Sequence, residues 1–250
     1  MARPITLITG ASRGIGAATA RLLARQGHDL ALNYRHDGAA AEVLAEELRS
    51  LGARALCVAA DVGEPAQVEV LFARIDAELG RLSGLVNNAG VVAPAAPVAE
   101  MAPERIERVL RINVLGSFLC AQQAVRRMSR ARGGAGGAIV NVSSRAAQLG
   151  APGVYVDYAA SKGAIDSFTL GLAKEVIGEG IRVNGVRPGI IATDIHASGG
   201  MAGAPLAAAL AAVPSGRIGK PEEVAEAIAW LLSPAASYTV GAMLDVAGGR

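Results

Sequence analysis

The stretch TGASRGIG, residues 9–16, joins a short apolar run to a segment with helical spacing of its apolar residues. Its glycines are Gly10, Gly14 and Gly16, in the pattern Gly-x-x-x-Gly-x-Gly. Glycine permits a tight turn and a close approach to a ligand, and the first turn of a helix offers free N–H groups to a phosphate. The stretch therefore predicts a nucleotide site after the first strand, although a plain strand-to-helix turn would use the same glycines.

On both sides of this loop, β-branched runs alternate with helical patterns. The runs ITLIT, DLALNY and ALCVAAD are followed by helical patterns that end near Gln26, Leu51 and Leu79. Further strands are predicted in GLVNNAG, AIVNVSS, IRVNGVRPG and MLDVAGG, and further helices after Pro103, over roughly 157–177 and from Pro221. This alternation predicts one α/β domain over residues 1–250, a Rossmann-type doubly wound parallel sheet with helices on both faces.

Composition excludes several classes of partner. Lys and Arg total 24 against 22 for Asp and Glu, a net charge of +2, without a long block of one sign. Such a balance predicts neither nucleic acid nor a membrane surface as a partner. Cys57 and Cys120 lie far apart and the three histidines show no metal spacing, so we expect no metal site and a reducing, cytoplasmic location.

The motif YAASK places Tyr158 and Lys162 four residues apart, on one face of a predicted helix. A free phenol has a pKa of about 10, and lowering it by three units takes about 4 kcal/mol. A lysine about 5 Å away supplies on the order of 3 kcal/mol at an effective dielectric near 20. The pair predicts acid/base chemistry near neutral pH, and an ordinary exposed helix face is the alternative.

A serine pair, Ser143 and Ser144, follows the strand AIVNV. A serine hydroxyl there would hold a substrate oxygen and stabilise developing charge, although a serine pair after a strand also suits a turn. Ser144 is preferred, and Ser143 stays a rival.

These motifs occur in one order: TGASRGIG, NNAG at 87–90, Asn113, the serine pair, YAASK, and RPG at 187–189. In that order they resemble the short-chain dehydrogenase/reductase family, with bacterial NADP-dependent carbonyl and 3-oxoacyl reductases as the nearest kind, and the match runs essentially end to end. The resemblance implies that Tyr158 is the acid/base, that Lys162 tunes it and that Ser144 polarises the carbonyl. It also places Asn113 on the fourth helix, holding water that passes protons to Lys162. One extra residue between Ser144 and Tyr158 predicts an insertion in the intervening loop.

The resemblance further implies a nicotinamide cofactor. Its expected binding residues are Gly10, Ser12, Arg13, Gly14, Ile15, Gly16, Tyr34, Arg35, Asp61, Val62, Asn87, Ala89, Gly90, Tyr158, Lys162, Pro188, Gly189, Ile191 and Thr193. Members that prefer NAD carry an acid where this chain has Tyr34, whereas Arg13 and Arg35 suit a 2′-phosphate. We therefore predict NADP(H), with NAD as the alternative. Asp37 is the counterargument, but HDG at 36–38 is typical of a turn beyond the strand.

The sequence thus predicts an NADP(H)-dependent oxidoreductase acting on a small-molecule carbonyl/alcohol pair, with reduction as the favoured direction. An NAD-preferring alcohol or sugar dehydrogenase, a non-catalytic NADP-binding sensor and a structural assembly protein are the alternatives. A segment at about 195–213 is expected to close over substrate. His196 borders that segment and is not expected to contact substrate. The resemblance also implies a homotetramer, assembled through the last helices and the C-terminal strand.

Overall fold

The computed structural model describes residues 3–193 and 210–250. Seven parallel strands form one sheet in the order β3-β2-β1-β4-β5-β6-β7. The strands are β1 Ile5–Ile8, β2 Asp29–Tyr34, β3 Ala55–Ala59, β4 Gly84–Asn87, β5 Gly137–Val142, β6 Ile181–Pro188 and β7 Met243–Val246. The predicted α/β doubly wound fold is confirmed.

Helices connect the strands and cover both faces of the sheet. They are α1 Gly14–Arg25, α2 Gly38–Ser50, α3 Pro65–Glu78, α4 Pro103–Leu110, α5 Gly116–Met128, α6 Ala146–Leu149, α7 Val156–Val176 and α8 Pro221–Leu232. Short 3₁₀ turns lie at Val98–Glu100, Arg130–Arg132, Ile177–Glu179 and Pro234–Ala236. Three helices begin with proline, whose missing N–H costs nothing at that position.

Two apolar cores form because successive strand residues point to opposite faces. Leu7 packs in the core that contains Phe72 of α3. Its neighbour Ile8 packs on the other face, in the core that contains Leu23 of α1 and Ile228 of α8. Helices cover both faces of the sheet. In doubly wound sheets of this kind, ligands bind at the carboxyl ends of the strands.

Local structure departs from the sequence prediction at two places. Asn113 lies in a π-helical turn, Arg111–Leu115, between α4 and α5 rather than in a regular helix. The HDG segment is not a free turn, because Gly38 begins α2 and the Asp37 carboxylate accepts the Ala40 N–H at 3.0 Å as its N-cap. Residues 194–209, with His196 and most of the predicted closing segment, lie outside the described residues.

Within residues 3–193 and 210–250, no helix combines the length and the apolar character that crossing a membrane requires.

Candidate active site

A cavity of about 520 Å³ opens at the carboxyl ends of the strands. Most of the predicted site residues line it: Gly10, Ser12, Arg13, Gly14, Ile15, Tyr34, Arg35, Asp61, Val62, Ala89, Gly90, Ser144, Tyr158, Lys162, Pro188, Gly189, Ile191 and Thr193. Gly16, Asn87 and Asn113 are not among its lining residues. The fold therefore brings the predicted cofactor and catalytic residues to one cavity.

The glycine loop forms the floor of one end of the cavity. Gly10 and Gly14 have φ angles of 62° and 57°, in the left-handed region that favours glycine. Gly16 lies beneath the loop, where an added Cβ would stand 2.6 Å from the Gly10 carbonyl oxygen. Asn88, which directly follows β4, holds the loop in place, because its Nδ2 donates to the carbonyls of Thr9 and Gly10 at 2.9 Å each. The tight turn and the start of α1 beside it suit the phosphates of a nucleotide.

Gly90 leaves space in the middle of the cavity. A Cβ built at Gly90 would lie 3.4 Å from Lys162 Nζ and 3.5 Å from Asn113 Oδ1. A larger side chain at this position would fill the wall beside the lysine. The missing side chain thus leaves room there for a ribose, and the residues present fit a nicotinamide nucleotide.

The prediction that Asn87 contacts the cofactor is not supported by its position. Asn87 is buried, and its Nδ2 donates to Asn141 Oδ1 at 2.9 Å and to the Ser117 carbonyl at 3.2 Å. Its neighbour Asn88 lines the cavity instead. Asn87 is the last residue of β4 and Asn88 lies just beyond it, and the two side chains take different environments.

Asn113 lies behind the cavity wall. Its Oδ1 accepts the Val91 N–H at 2.8 Å, and its Nδ2 donates to the Val91 carbonyl and to Ser161 Oγ at 3.0 Å each. The Asn113 carbonyl accepts the Ser117 hydroxyl at 2.9 Å. Through these contacts, Asn113 connects Val91, the residue after Gly90, to α7. The Asn113 amide therefore holds the wall of the cavity, and the role of Asn113 in holding water for the proton relay stays a prediction.

The serine pair separates into two environments. Ser143 is buried, and its hydroxyl contacts Asp166 Oδ1 at 2.6 Å and the Lys162 carbonyl at 3.1 Å. Ser144 and Tyr158 both line the cavity, and the Ser144 hydroxyl lowers the pKa of Tyr158. The Ser144 hydroxyl also accepts the Ala146 N–H at 3.1 Å. The segment between Ser144 and Tyr158 contains α6, and the insertion there stays a prediction.

Lys162 lies close to Tyr158, but its effect on the pKa of the phenol differs from the expectation. Its Nζ donates to the Val142 carbonyl at 2.8 Å and lies 5.6 Å from the centroid of the Tyr158 ring. Burial raises the pKa of Tyr158 to about 12, and Ser144, rather than Lys162, is the group that lowers it. Burial also lowers the pKa of Lys162 to about 8, opposed by the charge of Asp166. Lys162 alone therefore does not bring the Tyr158 pKa toward neutrality, because desolvation outweighs the attraction.

Sequence reasoning missed two residues at the Tyr158 end of the cavity. The Tyr155 ring meets the Tyr158 ring edge-on, with centroids 5.6 Å apart. Arg250 is partly buried and lines the same cavity. It is directed there by Gly248 and Gly249, whose φ angles are 62° and 89°. The glycine pair before Arg250 was the available signal, since two consecutive left-handed residues turn the chain back on itself.

Tyrosines are concentrated in this cavity. Tyr34, Tyr155 and Tyr158 line it, whereas Tyr238, the last of the four tyrosines in the sequence, is fully exposed.

At the other end of the cavity, charged groups surround the predicted adenosine position. Arg35 Nε pairs with Asp61 Oδ2 at 3.1 Å. Asp61 Oδ1 also accepts the Gly63 N–H at 2.9 Å. Arg13 and Asp37 line the same end. Both arginines predicted to clamp a phosphate thus line the cavity, and Arg35 is paired with Asp61.

Comparison with known proteins agrees with this geometry. A family model described as Enoyl-(Acyl carrier protein) reductase matches residues 10–250. The chain is 51% identical over 246 residues to the uncharacterized oxidoreductase YgfF of Escherichia coli, covering 98% of this chain and 99% of that protein.

Two solved structures are similar throughout. The 3-ketoacyl-(acyl-carrier-protein) reductase of Brucella melitensis, complexed with NADH, is 33% identical with a TM-score of 0.91, covering 99% of this chain and 98% of that one. A blue fluorescent protein from a metagenomic library, in complex with NADPH, is 36% identical with a TM-score of 0.90, covering 98% and 97%. With its motifs, fold and cavity in agreement with these relatives, the chain is an oxidoreductase of the short-chain dehydrogenase/reductase family.

Proposed function

We propose that this protein reduces a carbonyl group of a small molecule with NADP(H), using Tyr158 as the general acid. The observation that carries the proposal is that Ser144, Tyr158 and Lys162 line one cavity, with Lys162 Nζ 5.6 Å from the Tyr158 ring and the Ser144 hydroxyl close enough to lower the Tyr158 pKa. Two hydroxyls in one cavity at this position can both donate to a single substrate oxygen. The 3-ketoacyl reductase relative supports a carbonyl as the reacting group.

The protonation states favour reduction. With a pKa of about 12, Tyr158 holds its proton at neutral pH and is ready to donate it. A bound nicotinamide cofactor supplies the hydride for the carbonyl carbon. As negative charge develops on the substrate oxygen, the Ser144 hydroxyl stabilises it and Tyr158 transfers its proton. Oxidation would need the ionised phenol at the start, which burial disfavours.

Lys162 supports this step through its charge. Below its pKa of about 8 it is an ammonium ion held against the Val142 carbonyl, beside the Tyr158 ring. A positive charge at this distance stabilises the phenolate that remains after proton transfer. Its position next to Gly90 also suits a hydrogen bond to a cofactor ribose. In this proposal Asn113 is a positioning residue that holds the wall between Gly90 and α7.

The choice of NADP(H) depends on Arg13 and Arg35, which line the adenosine end beside Tyr34. Planar guanidinium groups bind phosphate oxygens with two charge-assisted hydrogen bonds. Asp37 argues for NAD, since it lines the same end and a carboxylate accepts hydrogen bonds from a ribose. Its Oδ1, however, is occupied by the cap of α2. We therefore place NADP(H) first and NAD second.

A substrate screen tests the proposal. Purified protein with NADPH is expected to oxidise it in the presence of ketones, aldehydes or keto-acyl thioesters, seen as a fall in absorbance at the NADPH band. The same panel of carbonyl compounds with NADH, and alcohols or sugars with NAD, tests the dehydrogenase alternative. Binding of NADPH without turnover across the whole panel would favour the sensor instead. No binding of either nucleotide would favour a structural protein.

Arg250 and Tyr155 indicate a substrate that carries an anionic group. Both line the cavity at the Tyr158 end, and the positive charge of Arg250 lowers the pKa of Tyr155, although burial raises that pKa by more. Among the described residues, the Arg250 guanidinium makes no ion pair. Tyr155 keeps its proton and Arg250 is a cation, so both can donate to a carboxylate.

The prediction is tested with 4-oxocyclohexanecarboxylate and the uncharged 4-methylcyclohexanone, which are similar in size. Arg250→Gln is expected to lower kcat/KM for the carboxylate by about tenfold or more, the worth of a charge-assisted hydrogen bond. Turnover of the uncharged ketone should change by less than about threefold, since it makes no such bond. Arg250→Lys should retain part of the preference. An equal loss for both ketones would contradict the role of the charge.

The homotetramer, the closing segment at about 195–213 and the cytoplasmic location stay predictions.

A further inference from the structure

Asp166, one helical turn after Lys162 on α7, joins three elements of the fold. Its Oδ1 contacts the hydroxyl of Ser143, at the end of β5, at 2.6 Å. Its Oδ2 accepts Arg187 Nε, from β6, at 2.8 Å. The side chains of Arg187 and Asp166 are only 16% and 17% exposed. A carboxylate in this partly dehydrated position holds its partners more firmly than a surface ion pair does.

The ion pairs continue from Asp166 to the residue after Ser144. Arg187 also approaches Asp245 of β7, at 3.4 Å. Asp245 in turn pairs with Arg145 at 2.7 Å. Arg145 directly follows Ser144, and its backbone N–H donates to the Pro188 carbonyl at 3.0 Å. Asp166 is therefore the α7 end of a line of alternating charges that reaches the loop carrying Ser144.

This connection matters because Ser144 and Tyr158 belong to different elements. Ser144 follows β5 and Tyr158 lies on α7, yet both hydroxyls must meet one substrate oxygen. A displacement of about 1 Å between groups that act together can cost on the order of a hundredfold in rate. The contacts of Asp166 fix the end of β5 against α7 at that point.

Asp166 also acts on Lys162 through its charge. The groups that face the ammonium are the Val142 carbonyl from β5, and Tyr158 and Asp166 from its own helix. Arg187 from β6 faces Asp166 on its far side. The carboxylate raises the pKa of Lys162 and opposes the effect of burial. Removing it leaves the ammonium without its nearby negative charge.

We propose that Asp166 is a positioning residue for the reduction, which keeps the Ser144 end of β5 in register with Tyr158 and supports the positive charge of Lys162. The inference rests on the proposed carbonyl reduction.

The test compares Asp166→Asn with the wild type across pH, using NADPH and the best ketone of the screen. Asparagine keeps an oxygen for Ser143 but loses the charge. The alkaline fall of kcat/KM is expected to move to lower pH by about one unit, from the Coulomb energy of a pair one helical turn apart. At pH 7 we expect kcat to fall by about tenfold, with the NADPH Kd within about threefold of the wild type. An unmoved alkaline limb, or an unchanged kcat, would overturn the proposal.

Two further variants distinguish the effect of the Asp166 charge from that of its hydrogen-bonding contacts. Ser143→Ala and Asp166→Glu both keep the carboxylate charge, so each should lower kcat while the alkaline limb stays in place. They also test the positioning role should the asparagine variant not fold. Glu175→Gln removes an exposed carboxylate from the same helix and should match the wild type in both measurements. If Ser143→Ala shifted the limb as far as Asp166→Asn, the charge would not be the cause.

A readout independent of turnover keeps this test apart from the proposed function. The sequence has three lysines, Lys162, Lys174 and Lys220, and the last two are exposed. Nitrogen NMR of the side chains can therefore follow the Lys162 ammonium through its titration. Asp166→Asn is expected to lower the pKa of Lys162 and leave the other two unchanged. A shift in the NMR titration without turnover of any carbonyl would refute the reductase function, while no shift would refute the role of Asp166.

Discussion

Tyr158→Phe is expected to lower kcat for carbonyl reduction by about a hundredfold to ten-thousandfold, the range that a general acid contributes. The variant loses only the hydroxyl of a cavity-lining residue, while the ring and its edge-on contact with Tyr155 can remain. Because the glycine loop and Arg13 are untouched, NADPH should still bind. Single-turnover kinetics with the best ketone, together with fluorescence titration of NADPH, give both quantities.

The matched control is Tyr238→Phe, which removes the hydroxyl of a fully exposed tyrosine. This control should show wild-type kcat and wild-type NADPH affinity. Retention of more than a tenth of the wild-type rate in Tyr158→Phe would remove Tyr158 from the role of proton donor. A parallel loss of NADPH binding would mean that the substitution damages the site rather than the proton transfer.

Replacing Arg13 and Arg35 together by alanine should weaken NADPH binding by about a hundredfold, since each charge-assisted hydrogen bond to a phosphate is worth about 1.5–3 kcal/mol. The Kd of NADH, which has no 2′-phosphate, should change by less than about threefold. Titration of both nucleotides against the wild type and the double variant measures the two effects. A wild type that binds NADH more tightly than NADPH would overturn the assignment before any variant is made.

Single variants distinguish the two arginines. Arg35→Ala also removes the nearer partner of Asp61 and leaves it only Arg111 at 3.9 Å, so part of its effect would come from a less well paired carboxylate. Arg13→Ala leaves that pair intact. Asp37→Asn serves as the converse control: in an NADP(H) enzyme it should improve NADPH binding or leave it unchanged, whereas weaker NADH binding would identify Asp37 as a ribose ligand.

The sequence allowed the site to be located because its motifs stand at the ends of strands. In a parallel sheet all carboxyl ends meet at one edge, so the glycine loop, Gly90, Ser144 and Pro188 had to come together once the alternation of strands and helices was recognised. The predicted acid/base pair, Tyr158 and Lys162, was recognised from its helical spacing.

Side-chain direction was the part that motifs could not supply. Ser143 and Ser144 are equivalent in a sequence pattern, and so are Asn87 and Asn88, yet one member of each pair faces the protein interior. Which member does so depends on where each strand ends, and that boundary is set by packing. The π-helical turn at Asn113 was equally hidden, because the pattern of apolar residues does not reveal one extra residue in a helical turn.

Energetics limited the sequence argument about Lys162. The attraction between the Lys162 ammonium and a Tyr158 phenolate is opposed by the cost of taking both groups out of water, which the spacing of the motif does not reveal. In the folded protein that cost is larger, so the pKa values of Tyr158 and Lys162 move to about 12 and about 8.

The placement of the tyrosines makes the protein its own optical reporter. With three of the four phenols in one cavity and the fourth in open solvent, ultraviolet difference spectra recorded during an alkaline titration would combine one signal from the surface with signals from the cavity. Spectra of Tyr158→Phe and Tyr155→Phe would then identify the individual components. The ionisation behaviour of the reacting phenol is thus open to direct spectrophotometry without any attached label.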